Sequence, residues 1–173
     1  MKRFILTGAP GAGKTVLIRE LERLGYPIVE EAATDVITLE QARGYLRPHE
    51  QPDFIEKITR LQLQRLQSAP DAPLQFHDRS VICTAALAEF LGVPIPALLE
   101  RAIMEAREIF EPRVFFVRLL GFMNNTEARR ISFEQSQQFE AVHETVYRRY
   151  GFELQYVQHA DIDERIRTVL ATI

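Results

Sequence analysis

Residues 8–15 read Gly-Ala-Pro-Gly-Ala-Gly-Lys-Thr. The spacing G-x-x-x-x-G-K-[ST] is that of a loop built to hold phosphate. Gly8, Gly11 and Gly13 lack a Cβ and let the backbone take positive φ. The stretch from Gly8 to Val16, with Ala9, Pro10 and Ala12 between the glycines, can therefore turn several N–H groups toward one anion. A helix that starts at the end of the loop adds its positive N-terminal end. Lys14 brings a compact charge to the β- and γ-phosphates, and the Thr15 hydroxyl is a ligand for Mg²⁺.

A second set of chemically able residues lies at Glu30-Glu31 and at Asp78-Arg79-Ser80. Asp78 follows the apolar run Leu74–His77. A strand-end carboxylate beside a phosphate loop can hold Mg²⁺ directly or through water; the plainer use of such an Asp is to cap the next helix. Hydrolytic ring ATPases place Glu at the next position to polarise water. Here it is Arg79, which cannot act as a base because its pKa exceeds about 12. Its rigid donor fork suits an anionic or hydroxyl-bearing group, or a salt bridge to Glu30 or Glu31. Glu31 lies one residue further past Ile28-Val29 than Glu30 and is the candidate general base for an acceptor hydroxyl. No N-K-x-D motif occurs anywhere, which disfavours a specific GTPase.

These residues need elements to hold them. Arg3–Thr7 is a short apolar run that suits a buried strand, and residues 16–24 carry apolar side chains at helical spacing before a stop at Gly25. Residues 26–29 read as a second strand. A helix follows as far as Gly44, then a turn-rich connection over 44–52, then a helix over 54–68 that Asp53 can cap. Leu74–His77 is the third strand, with helices to Leu91 and from Ala97 to Ile109. Arg113–Val117 is the fourth strand, residues 132–150 form a long polar helix, and Phe152–Val157 is the fifth strand. Asp161 caps a last helix whose apolar side carries Ile162, Ile166, Val169 and Leu170. Strands alternating with helices predict one domain over 1–173 with a parallel sheet covered on both faces. In open sheets of this kind ligands collect at the carboxyl ends of the strands. The phosphate loop, Glu30-Glu31, Asp78-Arg79 and the segment after Leu120 all fall there, so they should share one cleft.

The bulk properties exclude more than they assign. A net charge of −3 gives no electrostatic case for nucleic acid. No apolar run is long enough to span a membrane. The phosphate loop comes too early for a signal peptide, so none is expected. Cys83 stands alone, which excludes an intramolecular disulfide and a cysteine zinc site. A cytoplasmic, reducing location is expected. His49, His77, His143 and His159 have no metal-ligand spacing and read as structural or surface residues.

Gly8–Thr15, Glu31 and Asp78-Arg79-Ser80 together resemble the P-loop kinases. More closely, the chain resembles the NadR-like group of small AAA-type ATP-binding proteins over nearly its full length. That likeness rests on the loop, Val29-Glu-Glu-Ala32, a Gln-rich helix with Gln62, Gln64 and Gln67, Phe76-His-Asp-Arg79, and the run Tyr150–Val157. It implies a three-layer α/β P-loop fold, with a five-stranded parallel sheet in the order 2-3-1-4-5 and a short lid at about 121–132. It also implies ATP and Mg²⁺ as cofactors, with Thr15 and Asp78 on the metal and Arg129 of the lid on phosphate or adenine. Ser80 departs from the Gly often found after Asp-Arg, and Thr126-Glu-Ala-Arg129 departs from the usual Asp-x-x-Arg.

The function implied is transfer of the γ-phosphoryl group of Mg-ATP to a small metabolite, nucleoside-like by family analogy. The alternatives are a regulatory nucleotide-binding module that acts on a protein partner and a chaperone-like ATPase; the missing Glu after Asp78 disfavours the second. The complete Gly8–Thr15 motif yields a direct test. A ligand that binds only the folded state, present at about 100 times its Kd, adds roughly 2.7 kcal/mol of stability. Mg-ATP should raise the melting temperature of the wild-type protein and leave Lys14→Ala almost unmoved; equal shifts would refute the motif's role.

Overall fold

The computed structural model describes residues 1–119 and 133–173. The expected lid at 121–132, with Arg129 and Arg130, lies outside the described residues. Among those described, the chain runs β1 (Lys2–Thr7), α1 (Lys14–Arg23), β2 (Ile28–Val29), α2 (Ala33–Ala42), a 3-10 turn (Pro48–Glu50), α3 (Phe54–Ser68) and β3 (Leu74–Asp78). It continues through α4 (Val81–Leu91), α5 (Ala97–Ile109), β4 (Arg113–Val117), α6 (Phe133–Arg149), β5 (Glu153–Val157) and α7 (Ile162–Leu170). The strands form one parallel sheet in the order β2-β3-β1-β4-β5, the order that the resemblance implies.

The sheet separates two cores. Phe4 and Leu6 of β1, Phe76 of β3 and Phe115 of β4 pack with Leu17, Ile18 and Leu21 of α1 and Ile166 and Val169 of α7. Ile5 and Val114 point to the other face, where α3, α4, α5 and α6 supply Phe54, Ile58, Ile82, Leu99 and Tyr147. Alternate residues of β1 and β4 thus fill opposite layers, as the pleat requires. α4 carries seven buried residues among its eleven. It is apolar nearly all round because α5 and α6 cover the sides that the sheet does not.

Three local expectations change. The second strand is two residues long, because Pro27 has no N–H to give the ladder; its carbonyl still accepts from Phe76 N at 2.9 Å. Asp53 holds the N-cap position of α3 without a side-chain cap bond. Its carboxylate lies 3.1 Å from Lys57 Nζ, one turn along, and the cation outbids the helix N–H groups. The third strand extends through Asp78, so that carboxylate belongs to the sheet itself.

Gly8 shows how tightly the loop is seated. Its φ is +145°, and a Cβ there would meet the Val117 carbonyl oxygen at 2.4 Å. Both atoms belong to backbone at the end of the β1–β4 pair, so neither can move aside without breaking the sheet. Gly8→Ala should lower stability by more than about 1 kcal/mol in urea unfolding, whereas Gly25→Ala, at a turn with open space around it, should lose less.

Candidate active site

The five strands end on one side of the molecule, and the loop after β1 rises there. Gly11 (φ +92°) and Gly13 (φ +75°) take left-handed backbone. Ala9 and Ala12 are buried, and Gly13 is the N-cap of α1. Lys14 is the first residue of that helix and is 6% exposed, while Thr15 and Val16 are exposed. Lys14 Nζ donates to Asp78 Oδ1. The parallel register that sets Leu6 opposite Asp78 brings this pair together.

The structure separates the Glu30-Glu31 pair. Glu30 turns outward to Arg19, 3.0 Å away. Glu31 turns inward to Arg79, with Oε1 3.0 Å from Nε, although the Nε–H is not aimed at that oxygen. Burial pushes the Glu31 carboxyl up, but the Arg79 and Lys14 charges and the Thr34 hydroxyl outweigh it, and the group sits below the usual carboxylate range. Arg65 of α3 fixes the backbone behind Glu31. Its guanidinium donates to the carbonyls of Glu30 and Glu31 and to the Asp35 carboxylate.

Arg79 has φ +69°, the one non-Gly residue with positive φ among those described. Such backbone costs on the order of 1–3 kcal/mol and marks sites where a side chain must be aimed. Its amide is held by the Leu6 carbonyl at 2.9 Å. Burial opposes its charge, but Glu31 and Asp78 are close enough to keep the guanidinium protonated above its ordinary range. Arg79 Nη1 also lies 3.4 Å from His143 Nε2. His143 Nδ1 is 3.0 Å from the Phe139 carbonyl, which can only accept. Nδ1 therefore carries the proton, and Nε2 presents its lone pair to Arg79.

Ser80 caps α4 by accepting from Ile82 N at 3.2 Å. Its hydroxyl meets Tyr147 of α6 at 3.0 Å, Tyr147 meets Cys83 Sγ at 2.9 Å, and Cys83 meets Thr7 at 3.0 Å. α6 thus reads the Asp78-Arg79-Ser80 corner at two points, His143 and Tyr147. Sequence reasoning missed these contacts, and missed Arg65. The signal was present: positions 136, 143 and 147 place Ser, His and Tyr on the buried side of a helix.

Lys14, Glu31, Asp78 and Arg79 come together at the strand ends, as two ion pairs side by side; Arg129 lies outside the described residues. A cavity of about 30 Å³ opens beside Asp78 and Arg79, between α3 and α5, lined also by Gln62, Leu66, Ala102 and Phe110; Lys14 and Glu31 are not part of its lining. Among the described residues, no group of three His, Cys, Asp or Glu side chains could hold a metal. The donor set fits Mg²⁺ all the same, since that ion takes one or two carboxylates and otherwise phosphate and water. Asp78 and the exposed Thr15 hydroxyl are oxygen donors of that kind. No described helix is long and apolar enough to cross a membrane.

The sequence matches the family described as AAA domain over residues 3–165. No curated protein matches it in sequence. Among solved structures, deoxyadenosine kinase from M. mycoides with bound dATP aligns at a TM-score of 0.65 and 16% identity, covering 99% of this chain and 98% of that one. The same kinase with dCMP and dCDP aligns at 0.67 and 15%, covering 98% and 97%. NadR in complex with NR aligns at 0.73 and 18%, covering 98% of this chain and 51% of that longer one. These likenesses establish the P-loop kinase fold.

Burial holds His143 neutral, with the Arg79 and Lys14 charges adding to the effect, and its pKa falls to about 3. Burial and the Arg3 charge lower His77 to about 4. Both titrate near 6.5 once unfolded. Their contribution is complete above pH 6.5 and is lost as pH falls, because the unfolded chain takes up protons first. At pH 5 each histidine should cost about 2 kcal/mol of stability. Chemical denaturation should show His143→Gln losing about half as much stability between pH 7 and pH 5 as the wild type; an equal loss would exclude His143 as a source.

Proposed function

The chain belongs to the AAA domain family, and from that premise we propose that it is a Mg-ATP-dependent kinase of a small, nucleoside-like metabolite. The observation that carries the reading is the joining of Glu31 to Arg79 beside the Lys14–Asp78 pair. A ring-ATPase site places a carboxylate that activates water at the position after the strand-end Asp. This site has a cation there, and sets a carboxylate across the cleft from it. That arrangement suits a hydroxyl nucleophile clamped by Arg79 and deprotonated by Glu31.

In this reading Gly8–Val16 and the start of α1 hold the phosphates, and Arg129 is proposed as a further phosphate or adenine contact. Lys14 leaves Asp78 to neutralise the β- and γ-phosphates, which frees the carboxylate for the metal. Thr15 and Asp78 would hold Mg²⁺, which supplies charge neutralisation at the transferring group. Glu31 is a weak base in its ion pair, because Arg79 stabilises its carboxylate. An acceptor that draws Arg79 away removes the largest charge opposing the effect of burial and strengthens Glu31 as a base.

The acceptor side is the cavity between α3 and α5. At about 30 Å³ it has room for a few waters at most, so a nucleoside needs α3 and α5 to part. The named ligands of the structural relatives, dATP and dCMP in the M. mycoides kinase and NR in NadR, support the nucleoside-like class. A second reading, a regulatory module, finds support in Leu39, Tyr45 and Leu46, which lie within eight residues of chain and are 52%, 53% and 73% exposed.

The test is a screen of nucleosides and related metabolites for ATP-dependent phosphorylation, followed by single-turnover kinetics at saturating ATP. Glu31→Gln should slow transfer by about 10²–10⁴-fold while leaving ATP affinity nearly intact. Near wild-type transfer by Glu31→Gln, with Asp78→Asn inactive, would move the base to Asp78 or to the substrate. Nucleotide binding with no phosphorylated acceptor would favour the regulatory reading.

A further inference from the structure

α7 places a cation behind the phosphate loop. Asp161 caps the helix by accepting from Glu164 N at 2.8 Å. The helix lays Ile166 and Val169 against α1 in the second core. Arg165 lies on that same inward side and is 7% exposed. Among the described residues no carboxylate pairs with it, and its Nε is buried without an acceptor. Its hydrogen bond is from Nη2 to the carbonyl of Ala12, at 3.2 Å.

A buried ion without a countercharge is costly to the fold. A guanidinium cannot escape that cost by losing its proton, although burial does pull its pKa below the ordinary value. The place of the charge suggests its use. The Ala12 carbonyl belongs to the peptide whose N–H is that of Gly13, the left-handed N-cap of α1. A cation bonded to the oxygen of a peptide polarises it and makes its N–H a stronger donor. The same charge adds to the positive end of the α1 dipole, where anions are held.

We propose that Arg165 is a positioning residue of the phosphate loop: from behind, it fixes the Ala12–Gly13 peptide and lends its charge to the binding of a polyphosphate. The inference rests on the reading of the loop as a nucleotide site. The anion brings the countercharge that the fold leaves out. Arg165 therefore strengthens binding in proportion to ligand charge and does nothing for the base or the sugar.

The experiment is calorimetric titration of wild type, Arg165→Lys, Arg165→Gln and Arg165→Met with Mg-ATP, ADP, inorganic triphosphate and adenosine, together with thermal melts without ligand. Arg165→Gln keeps a donor for the Ala12 carbonyl but loses the charge. It should bind ATP and triphosphate on the order of tenfold more weakly, ADP less so, and adenosine unchanged. Arg165→Lys should stay within a few-fold of wild type. Arg165→Met should melt at or above the wild-type temperature without ligand, because it removes a buried charge, yet show a smaller ATP-induced shift. Wild-type ATP affinity in Arg165→Gln would overturn the proposal. So would equal losses for ATP and adenosine, which mean a merely structural role, or a loss in Arg165→Lys as large as in Arg165→Gln. If Arg165→Met does not fold, the Gln and Lys variants decide. A wild type that binds none of these ligands would refute the nucleotide reading itself.

Discussion

β1 is hydrogen-bonded on both sides, and its register fixes what stands where. Leu6 lies opposite Asp78 on β3 and opposite Phe115 on β4. The Leu6 carbonyl then takes the amide of Arg79, and the chain after Thr7 runs against Val117. A slip of one residue would turn Phe4 and Leu6 into the wrong core and carry Asp78 away from Lys14. The chemistry at the strand ends is therefore specified by the packing of two apolar layers well below it.

The charges at that end are arranged with little slack. Lys14 is hydrogen-bonded to Asp78, Arg79 lies against Glu31 with its Nε–H unmatched, and each pair is largely buried. Buried pairs of this kind add little net stability, because desolvation offsets most of the attraction. They are better understood as charges held ready for other partners. Neutral groups hold the framework instead: His143 offers a lone pair to Arg79, and Tyr147 and Cys83 link Ser80 to Thr7. Arg65 grips the backbone of Glu31, so that carboxylate can change partners without the turn moving.

Much of this was legible in the chain. Gly8–Thr15 fixes its own conformation, because positive φ at three glycines and a Lys at a helix start leave few alternatives. The strand Arg113–Val117 and the helix Ala97–Ile109 could be bounded to the residue, since Pro96 opens the helix and an unbroken apolar run marks the strand. β2 was harder to bound, because a single proline shortened it. The Arg79–Glu31 pair was legible because both residues stand at strand ends, but the partners of α6 were not: the buried side of that helix could be read, yet nothing in the spacing of Arg79 and His143, 64 residues apart, shows that they meet. Arg165 was partly legible. It interrupts the apolar side of the last helix, between Ile162 and Ile166, and a charge in that position always needs an explanation.

The contact between Gly8 and Val117 also has a consequence in time. The wall of the loop is made 109 residues after the loop itself, and the strand that carries Asp78 lies between them in sequence. At roughly 5–20 residues per second on the ribosome, the glycines wait about 5–20 s before their neighbour exists. Early in that interval β1 has neither partner beside it, later it has β3 alone, and until β4 is made the anion cradle lacks its Val117 wall. The cradle of this topology is therefore completed late, and the β4 edge of β1 stays open until residues 113–117 have left the exit tunnel.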